Sequence, residues 1–173
     1  ARAIAAIVND VYAEVDATGP WARATFAQFG SEPISPNTVP GVLRCTLDLR
    51  HPELAVLDGL EASMRSTVER VAAQTGVKAA VTLENDSPPV SFDPACITAV
   101  DEATRELGFT ATSMVSGAGH DACYVAEHCP TSMIFVPCDD GLSHNEAESI
   151  SPEQAERGAS VLLGAVRRMA HRN

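Results

Sequence analysis

The first half of the chain mixes helical and strand-like spacing of its apolar side chains. Two segments repeat apolar residues every three or four positions, as an amphipathic helix does, and two others alternate apolar and polar residues, as half-buried strands do. Gly19-Pro20 ends the first helix, and Gly76 ends the second by taking a left-handed conformation. The predicted elements are helix 1–18, strand 21–29 ending at Gly30, strand 42–49, helix 52–75 and strand 77–83.

The second half alternates helices with short strands. Asp86-Ser87-Pro88-Pro89 is the best linker candidate, because prolines and small polar residues favour an extended connection. Asp93-Pro94 supplies an N-cap and a proline at the first helical position, and Ser151-Pro152 does the same for the last helix. The predicted elements are helix 93–107, strand 110–115, helix 121–127, strand 132–136, loop 137–149 and helix 151–171.

These orders predict an α/β protein in two parts. Residues 1–88 have the order α-β-β-α-β, which corresponds to a split βαβ sandwich without its opening strand. Residues 89–173 have the order α-β-α-β-α, and this alternation favours a parallel or mixed sheet covered by helices.

Charge and composition exclude several functions. The chain has 12 Lys and Arg against 23 Asp and Glu, a formal charge of −11, which argues against a nucleic-acid or anionic-membrane surface. No apolar run approaches the roughly 18 residues of a membrane helix, and no secretory signal opens the chain. The number of cysteines, five, is odd and no two of them have CxxC spacing, so neither a disulfide framework nor a zinc knot is expected. Free cysteines favour a cytoplasmic location.

One candidate site is the segment 141–148, Gly-Leu-Ser-His-Asn-Glu-Ala-Glu, directly after an apolar strand. Ligands of open α/β sheets bind at the carboxyl ends of strands. His144 can offer a ring nitrogen to a metal, and Glu146 and Glu148 can ligate, orient the imidazole or cap the turn. The alternative is a solvated acidic loop with one incidental histidine.

A second candidate is Ser116-Gly117-Ala118-Gly119-His120-Asp121, which follows a strand and opens a helix. Backbone N–H groups at such a place can hold an anion or a developing oxyanion. The segment lacks the lysine of a P-loop, the full GxGxxG spacing and a GxSxG elbow around Ser116. The alternative is a tight turn whose glycines relieve crowding.

The third candidate is the pair Asn37 and Arg50. An arginine binds a carboxylate through two parallel hydrogen bonds, and an asparagine adds a directed one. The alternative is that Arg50 only forms a surface ion pair with Asp48, Glu53 or Asp58.

Five stretches, taken in order, resemble the N-carbamoyl-L-amino-acid amidohydrolases, whose close relatives include allantoate amidohydrolase and β-ureidopropionase. They are NTVPG at 37–41, DLRHP at 48–52, SGAGHDA at 116–122, MIFVPC at 133–138 and GLSHNEAE at 141–148. The resemblance covers the C-terminal part of the family. It implies a lid or dimerisation domain at 1–88, with an antiparallel sheet lacking its first strand, and then the C-terminal part of a zinc-aminopeptidase-like catalytic domain at 89–173.

The resemblance also implies a hydrolase with two divalent metals (Zn, Mn, Co or Ni) that cleaves the carbamoyl C–N bond of N-carbamoyl-L-amino acids or related ureido acids. By position, His144 matches the family's last metal ligand. Asn37 and Arg50 match a lid pair that binds the substrate carboxylate from the neighbouring subunit of a homodimer. The implied substrate-binding residues are Asn37, Arg50, Ala118, Gly119 and His120.

The family's other metal ligands and its general base lie in an N-terminal half that these motifs do not cover. Because zinc sites take three or four protein ligands, the chain alone is predicted to be inactive. Three alternatives stay open: a non-catalytic lid or dimerisation module that binds carboxylates or a partner chain, an allantoate amidohydrolase, and an aminoacylase or peptidase relative.

Overall fold

The computed structural model describes residues 1–171. The chain forms two compact units, Ala1–Pro89 and Val90–Asn173, each with its own apolar core. The predicted boundary after residue 88 lies next to this division, and residues 172 and 173 of the predicted second domain lie outside the described residues. Within residues 1–171, no helix combines the length and apolarity needed to cross a membrane.

The first unit packs two helices on a β-hairpin. Its elements are α1 (Arg2–Thr18), β1 (Arg23–Glu32), β2 (Val42–Arg50) and α2 (Leu54–Thr75), so both helices and the first two strands were predicted correctly in kind. The strands are antiparallel, with Arg23 opposite Arg50 at one end and Glu32 opposite Val42 at the other. The core combines buried residues of the helices, apolar side chains of the hairpin and Ala22 just before β1. The other members are Val11, Val15, Leu60, Met64, Phe26, Leu47 and Leu49.

The first strand differs from the prediction, because β1 continues through Gly30 to Glu32. Ala27 pairs with Thr46, but the next paired residue of β1 is Gly30, opposite Arg44. Gln28, inside this bulge, has a left-handed backbone with φ of 49°. Bulges of this kind bend a strand without ending it, and glycine is common beside them. Gly30 therefore marks an irregularity inside β1 and does not terminate it.

The prediction of a strand at 77–83 is wrong. Gly76 ends α2 as expected, with φ of 69° and its N–H bonded to the Ala72 carbonyl. Beyond it the chain joins no ladder, and Val77, Val81 and Leu83 are exposed. A strand exists only beside a hydrogen-bonded neighbour, and in the described part of the chain the sheet contains β1 and β2 alone.

The second unit contains α3 (Pro94–Glu106), α4 (Asp121–Ala126), a short 3₁₀ turn (Asp139–Gly141) and α5 (Pro152–Ala170). Both predicted caps are present. The Asp93 carboxylate accepts hydrogen bonds from the N–H groups of Ala95 and Cys96 at 2.9 Å each. The Ser151 hydroxyl accepts one from Gln154 N–H at 3.2 Å. These side chains satisfy N–H groups that would otherwise lack partners in the first turn.

Helices α3 and α5 pack closely through small residues. Ala99 and Ala103 of α3 are fully buried against Val161 and Ala165 of α5. The approach is so close that a Cβ added at Gly164 would lie 2.9 Å from the Cβ of Ala103.

The predicted strands at 110–115 and 132–136 are also wrong. Neither segment joins a ladder, so the expected parallel or mixed sheet does not form within residues 90–171. The residues between 110 and 115 are exposed, whereas Ile134 packs against the α3–α5 core. Apolar content alone therefore predicted strands that have no neighbours to pair with.

Candidate functional site

The loop after residue 136 holds His144 in a left-handed backbone conformation, with φ of 54°. This conformation is uncommon for a residue other than glycine, so local hydrogen bonds must stabilise it. The His144 N–H donates to the Glu148 carboxylate at 2.9 Å, and the Asn145 side-chain oxygen accepts from the Ala147 N–H at 2.9 Å. Glu148 therefore caps the turn, which is one of the roles considered for it from the sequence.

This loop does not form a complete metal centre. Its His144 and Glu146 are exposed, and Glu148 already accepts a hydrogen bond from the backbone. Within residues 1–171, no three His, Cys, Asp or Glu side chains lie close enough together to hold a metal ion. Zinc sites take three or four protein ligands, so the described residues do not supply a full ligand set for such a site. His144 stays a predicted ligand.

The segment 116–121 brings a hydroxyl and an imidazole together. Ser116 Oγ lies 2.5 Å from Nε2 of His120 and also accepts a hydrogen bond from the Ala118 N–H at 3.3 Å. Gly117 sits at the bend with φ of 70°, where a side chain would be strained. The tight turn proposed as the alternative is therefore present, and it also orients His120.

His120 is held by further contacts. Its ring packs edge-on against the ring of Phe135, with 5.6 Å between centroids. Its carbonyl accepts a hydrogen bond from the Cys123 N–H at 2.9 Å as α4 begins. The Asp121 carboxylate already occupies the first turn of this short helix, which disfavours a second negative group there. The ring of His120 is therefore held in place, and the substrate contacts of Ala118, Gly119 and His120 stay predictions.

Arg50 forms the surface ion pair that the sequence offered as an alternative. Its Nε and Nη2 donate to the two carboxylate oxygens of Asp48 at 2.7 and 3.0 Å. Both side chains stand on one face of β2 because they are two residues apart. The hydrogen bond with Arg50 lowers the pKa of Asp48, and the same bond raises the pKa of Arg50. Asp48 therefore fixes the plane of the Arg50 guanidinium.

Asn37 lies in the loop between the strands, where its side-chain oxygen accepts a hydrogen bond from the Ser35 hydroxyl at 3.1 Å. Arg50 stands at the opposite end of β2, beside Arg23. The nine residues of that strand span about 26 Å at the usual rise of about 3.3 Å per residue. The unit does not bring Asn37 and Arg50 together, and their shared role in binding a carboxylate stays a prediction.

Sequence reasoning missed the contact between Ser116 and His120. It considered Ser116 only as a nucleophile and found no GxSxG elbow around it. A signal was available, because glycine-rich residues between a serine and a histidine four positions apart allow the backbone to fold back on itself.

Comparison with known proteins places these features in context. A sequence model of peptidase family M20/M25/M40 matches residues 5–168. An N-carbamoyl-L-amino-acid amidohydrolase of Rhizobium meliloti is 40% identical over 164 residues, which cover 95% of this chain and 39% of that protein. An allantoate amidohydrolase of Bacillus subtilis (strain 168) is 30% identical over 165 residues, which cover 95% of this chain and 40% of that protein. The chain therefore spans about two fifths of the length of these relatives.

Solved structures give the same likeness. An amidase of the hydantoinase/carbamoylase family from Burkholderia multivorans superposes with a TM-score of 0.86 and 45% sequence identity. The superposition covers 94% of this chain and 40% of that chain.

Proposed function

We propose, from the premise that the chain belongs to peptidase family M20/M25/M40, that it forms part of an amidohydrolase acting on the carbamoyl C–N bond of N-carbamoyl-L-amino acids or related ureido acids. The observation that carries this proposal is the 40% identity to the Rhizobium meliloti amidohydrolase over 95% of the chain. In this proposal, the first unit is the lid or dimerisation domain, and the second unit is the C-terminal part of the catalytic domain.

Amidohydrolases of this family generally use divalent metals. We infer two metals per active site, with His144 as one ligand. Imidazole and carboxylate ligands accept zinc, manganese, cobalt and nickel, so this ligand chemistry does not select one of them. No complete metal-binding group exists within residues 1–171. We therefore propose that the remaining ligands and the general base lie in the part of the relatives' sequence that this chain does not cover.

Substrate binding is proposed for two separate surfaces. Arg50 would bind the substrate carboxylate, in a plane that Asp48 fixes through two of the guanidinium's five N–H donors. Asn37 would add a hydrogen bond from the loop of the hairpin. The proposal has the first unit dimerise, so that these residues reach the neighbouring subunit's site.

A second candidate function is a non-catalytic module that binds carboxylates or a partner chain without turnover. One observation favours it for this chain by itself: the absence, within residues 1–171, of a group of side chains able to hold a metal. Under this alternative Arg50 still binds carboxylates, but no metal changes the affinity.

The experiment that separates these candidates is a chimera. The part of the Rhizobium meliloti relative outside the alignment is fused ahead of this chain, and ammonia release is measured with N-carbamoyl-L-amino acids and with allantoate after addition of each metal. We expect the chimera to hydrolyse a carbamoyl amino acid, its His144→Ala variant to lose metal and activity, and the 173-residue chain alone to release no ammonia.

Two results would count against the proposal. A folded chimera that binds metal but hydrolyses neither substrate rejects the amidohydrolase function. Metal-dependent ammonia release by the chain alone rejects the inference that its ligand set is incomplete.

A further inference from the structure

We propose that Ser116 is a positioning residue that holds the imidazole of His120 as the neutral Nδ1–H tautomer, so that Nδ1 becomes a hydrogen-bond donor for a carbonyl or carboxylate oxygen of the substrate. The nature of the substrate rests on the proposed function above. The tautomer rests only on geometry within the second unit and is tested without substrate.

Ser116 and His120 are in direct side-chain contact. Ser116 Oγ lies 2.5 Å from Nε2 of His120, within hydrogen-bond range, so one of the two groups donates a hydrogen bond to the other. If Nε2 donates, the neutral ring has an unprotonated Nδ1 that can only accept. If the hydroxyl donates, the neutral ring carries its proton on Nδ1.

A neighbouring backbone N–H influences the direction of this hydrogen bond. Ser116 Oγ already accepts a hydrogen bond from the Ala118 N–H at 3.3 Å. A hydroxyl whose oxygen accepts an N–H becomes a stronger O–H donor, because linked hydrogen bonds polarise one another. This polarisation favours a chain of bonds that runs from the Ala118 N–H through the Ser116 hydroxyl to Nε2, with Nε2 as the acceptor.

Further contacts restrain the ring of His120. His120 is half-buried, and its ring packs edge-on against Phe135 at an interplanar angle of 64°. Its backbone is fixed because its carbonyl accepts the Cys123 N–H. Gly117, with φ of 70°, permits the turn that brings the hydroxyl to the ring. The ring is therefore anchored at Nε2, and Nδ1 is the nitrogen left to meet a ligand.

The chemistry suits an uncharged donor. A neutral Nδ1–H can bond to a ureido carbonyl or a carboxylate oxygen and needs no change of protonation when the ligand binds. Ser116 does not contact the substrate in this arrangement. It acts only through the tautomer and orientation of His120.

The test is the tautomer of His120 in the 173-residue chain, read by long-range ¹H–¹⁵N correlation spectra of protein labelled at histidine. Comparison with a His120→Gln variant assigns its signals among those of the five histidines. We expect native His120 to be mainly the Nδ1–H form. Ser116→Ala should shift it mainly to the Nε2–H form, Ser116→Thr should restore Nδ1–H, and Ser113→Ala, a matched change in the same segment, should have no effect.

Two results would overturn the proposal: a native His120 that is mainly Nε2–H, or a folded Ser116→Ala variant with an unchanged tautomer. The native measurement decides even if the alanine variant fails to fold. Since no substrate or metal is added, a failed amidohydrolase proposal leaves this test intact. Conversely, an active chimera whose His120 is mainly Nε2–H would reject only the role of Ser116.

Discussion

Replacing Gly164 with alanine tests the close packing of α3 against α5. The new Cβ would lie 2.9 Å from the Cβ of Ala103. An alanine Cβ is fixed to its backbone, so no side-chain rotation can relieve this clash. Alanine is favoured over glycine inside a helix by about 1 kcal/mol. Forcing a methyl group into a filled core costs about 1–3 kcal/mol. We therefore expect Gly164→Ala to lower the free energy of unfolding by about 1 kcal/mol.

A matched control separates the helix effect from the clash. Gly59 lies inside α2, and a Cβ built there meets no atom within 4 Å, so Gly59→Ala should raise the free energy of unfolding by about 1 kcal/mol. Urea unfolding followed by circular dichroism reports the helices of both units, whereas fluorescence of Trp21, the single tryptophan, follows the first unit alone. The part of the dichroism change that the fluorescence does not share measures the second unit.

The clash predicts a specific coupling. Ala103→Gly removes the methyl group that the new Cβ would meet. The double variant with Ala103→Gly and Gly164→Ala should therefore lose less free energy of unfolding than the sum of the losses in the two single variants. If Gly164→Ala alone stabilises the second unit as much as Gly59→Ala stabilises the first, the argument for close packing is refuted.

Three further predictions concern single side chains. Asp48→Asn should lower the free energy of unfolding by less than about 1 kcal/mol, because the pair of Asp48 with Arg50 is half-exposed. Since folding lowers the Asp48 pKa, urea titrations should show this loss of stability above the ordinary aspartate pKa of 3.8, and the loss should vanish as the pH falls through the folded pKa. Asp93→Ala should cost about 1 kcal/mol by leaving two N–H groups of α3 without their cap, and Asp93→Asn should recover most of it in thermal unfolding. Val71→Ala should cost about 2 kcal/mol because that side chain is 1% exposed, whereas equal loss in the exposed control Val77→Ala would refute the assignment of Val71 to the core.

Local sequence signals predicted the helices well. Asp93 and Ser151 fix helix starts through hydrogen bonds to residues two or three positions away, and Gly76 ends a helix through its own backbone conformation. The information for these features lies within a few residues of each one, so the sequence displays it directly.

Strands depend on distant partners, and here the sequence was less informative. Residues 42–49 alternate and have β1 beside them, so β2 forms. Residues 77–83, 110–115 and 132–136 have strand-like composition but no ladder partner among the described residues. Composition indicates whether a segment is suited to a β-strand, whereas strand pairing depends on a partner segment that is distant in the sequence.

The sequence identified candidate residues for the site but not the contacts between them. The sequence singled out His144 and His120 and considered a pair between Arg50 and Asp48. It considered a capping role for Glu148, and it contains the glycine-rich spacing that lets Ser116 reach His120. The contacts themselves depend on residues with positive φ, which residue types alone do not fix.

The unpaired segment after α2 has a practical consequence for labelling. Lys78, the only lysine in the sequence, is exposed there beside Val77 and three residues before Val81, which are exposed too. A positive charge within an apolar, unpaired segment opposes edge-to-edge association with another chain. Amine-reactive dyes neutralise that charge, so they will promote self-association of the sample they are meant to report on. Measurements of oligomeric state should instead place the label on the exposed thiol of Cys129.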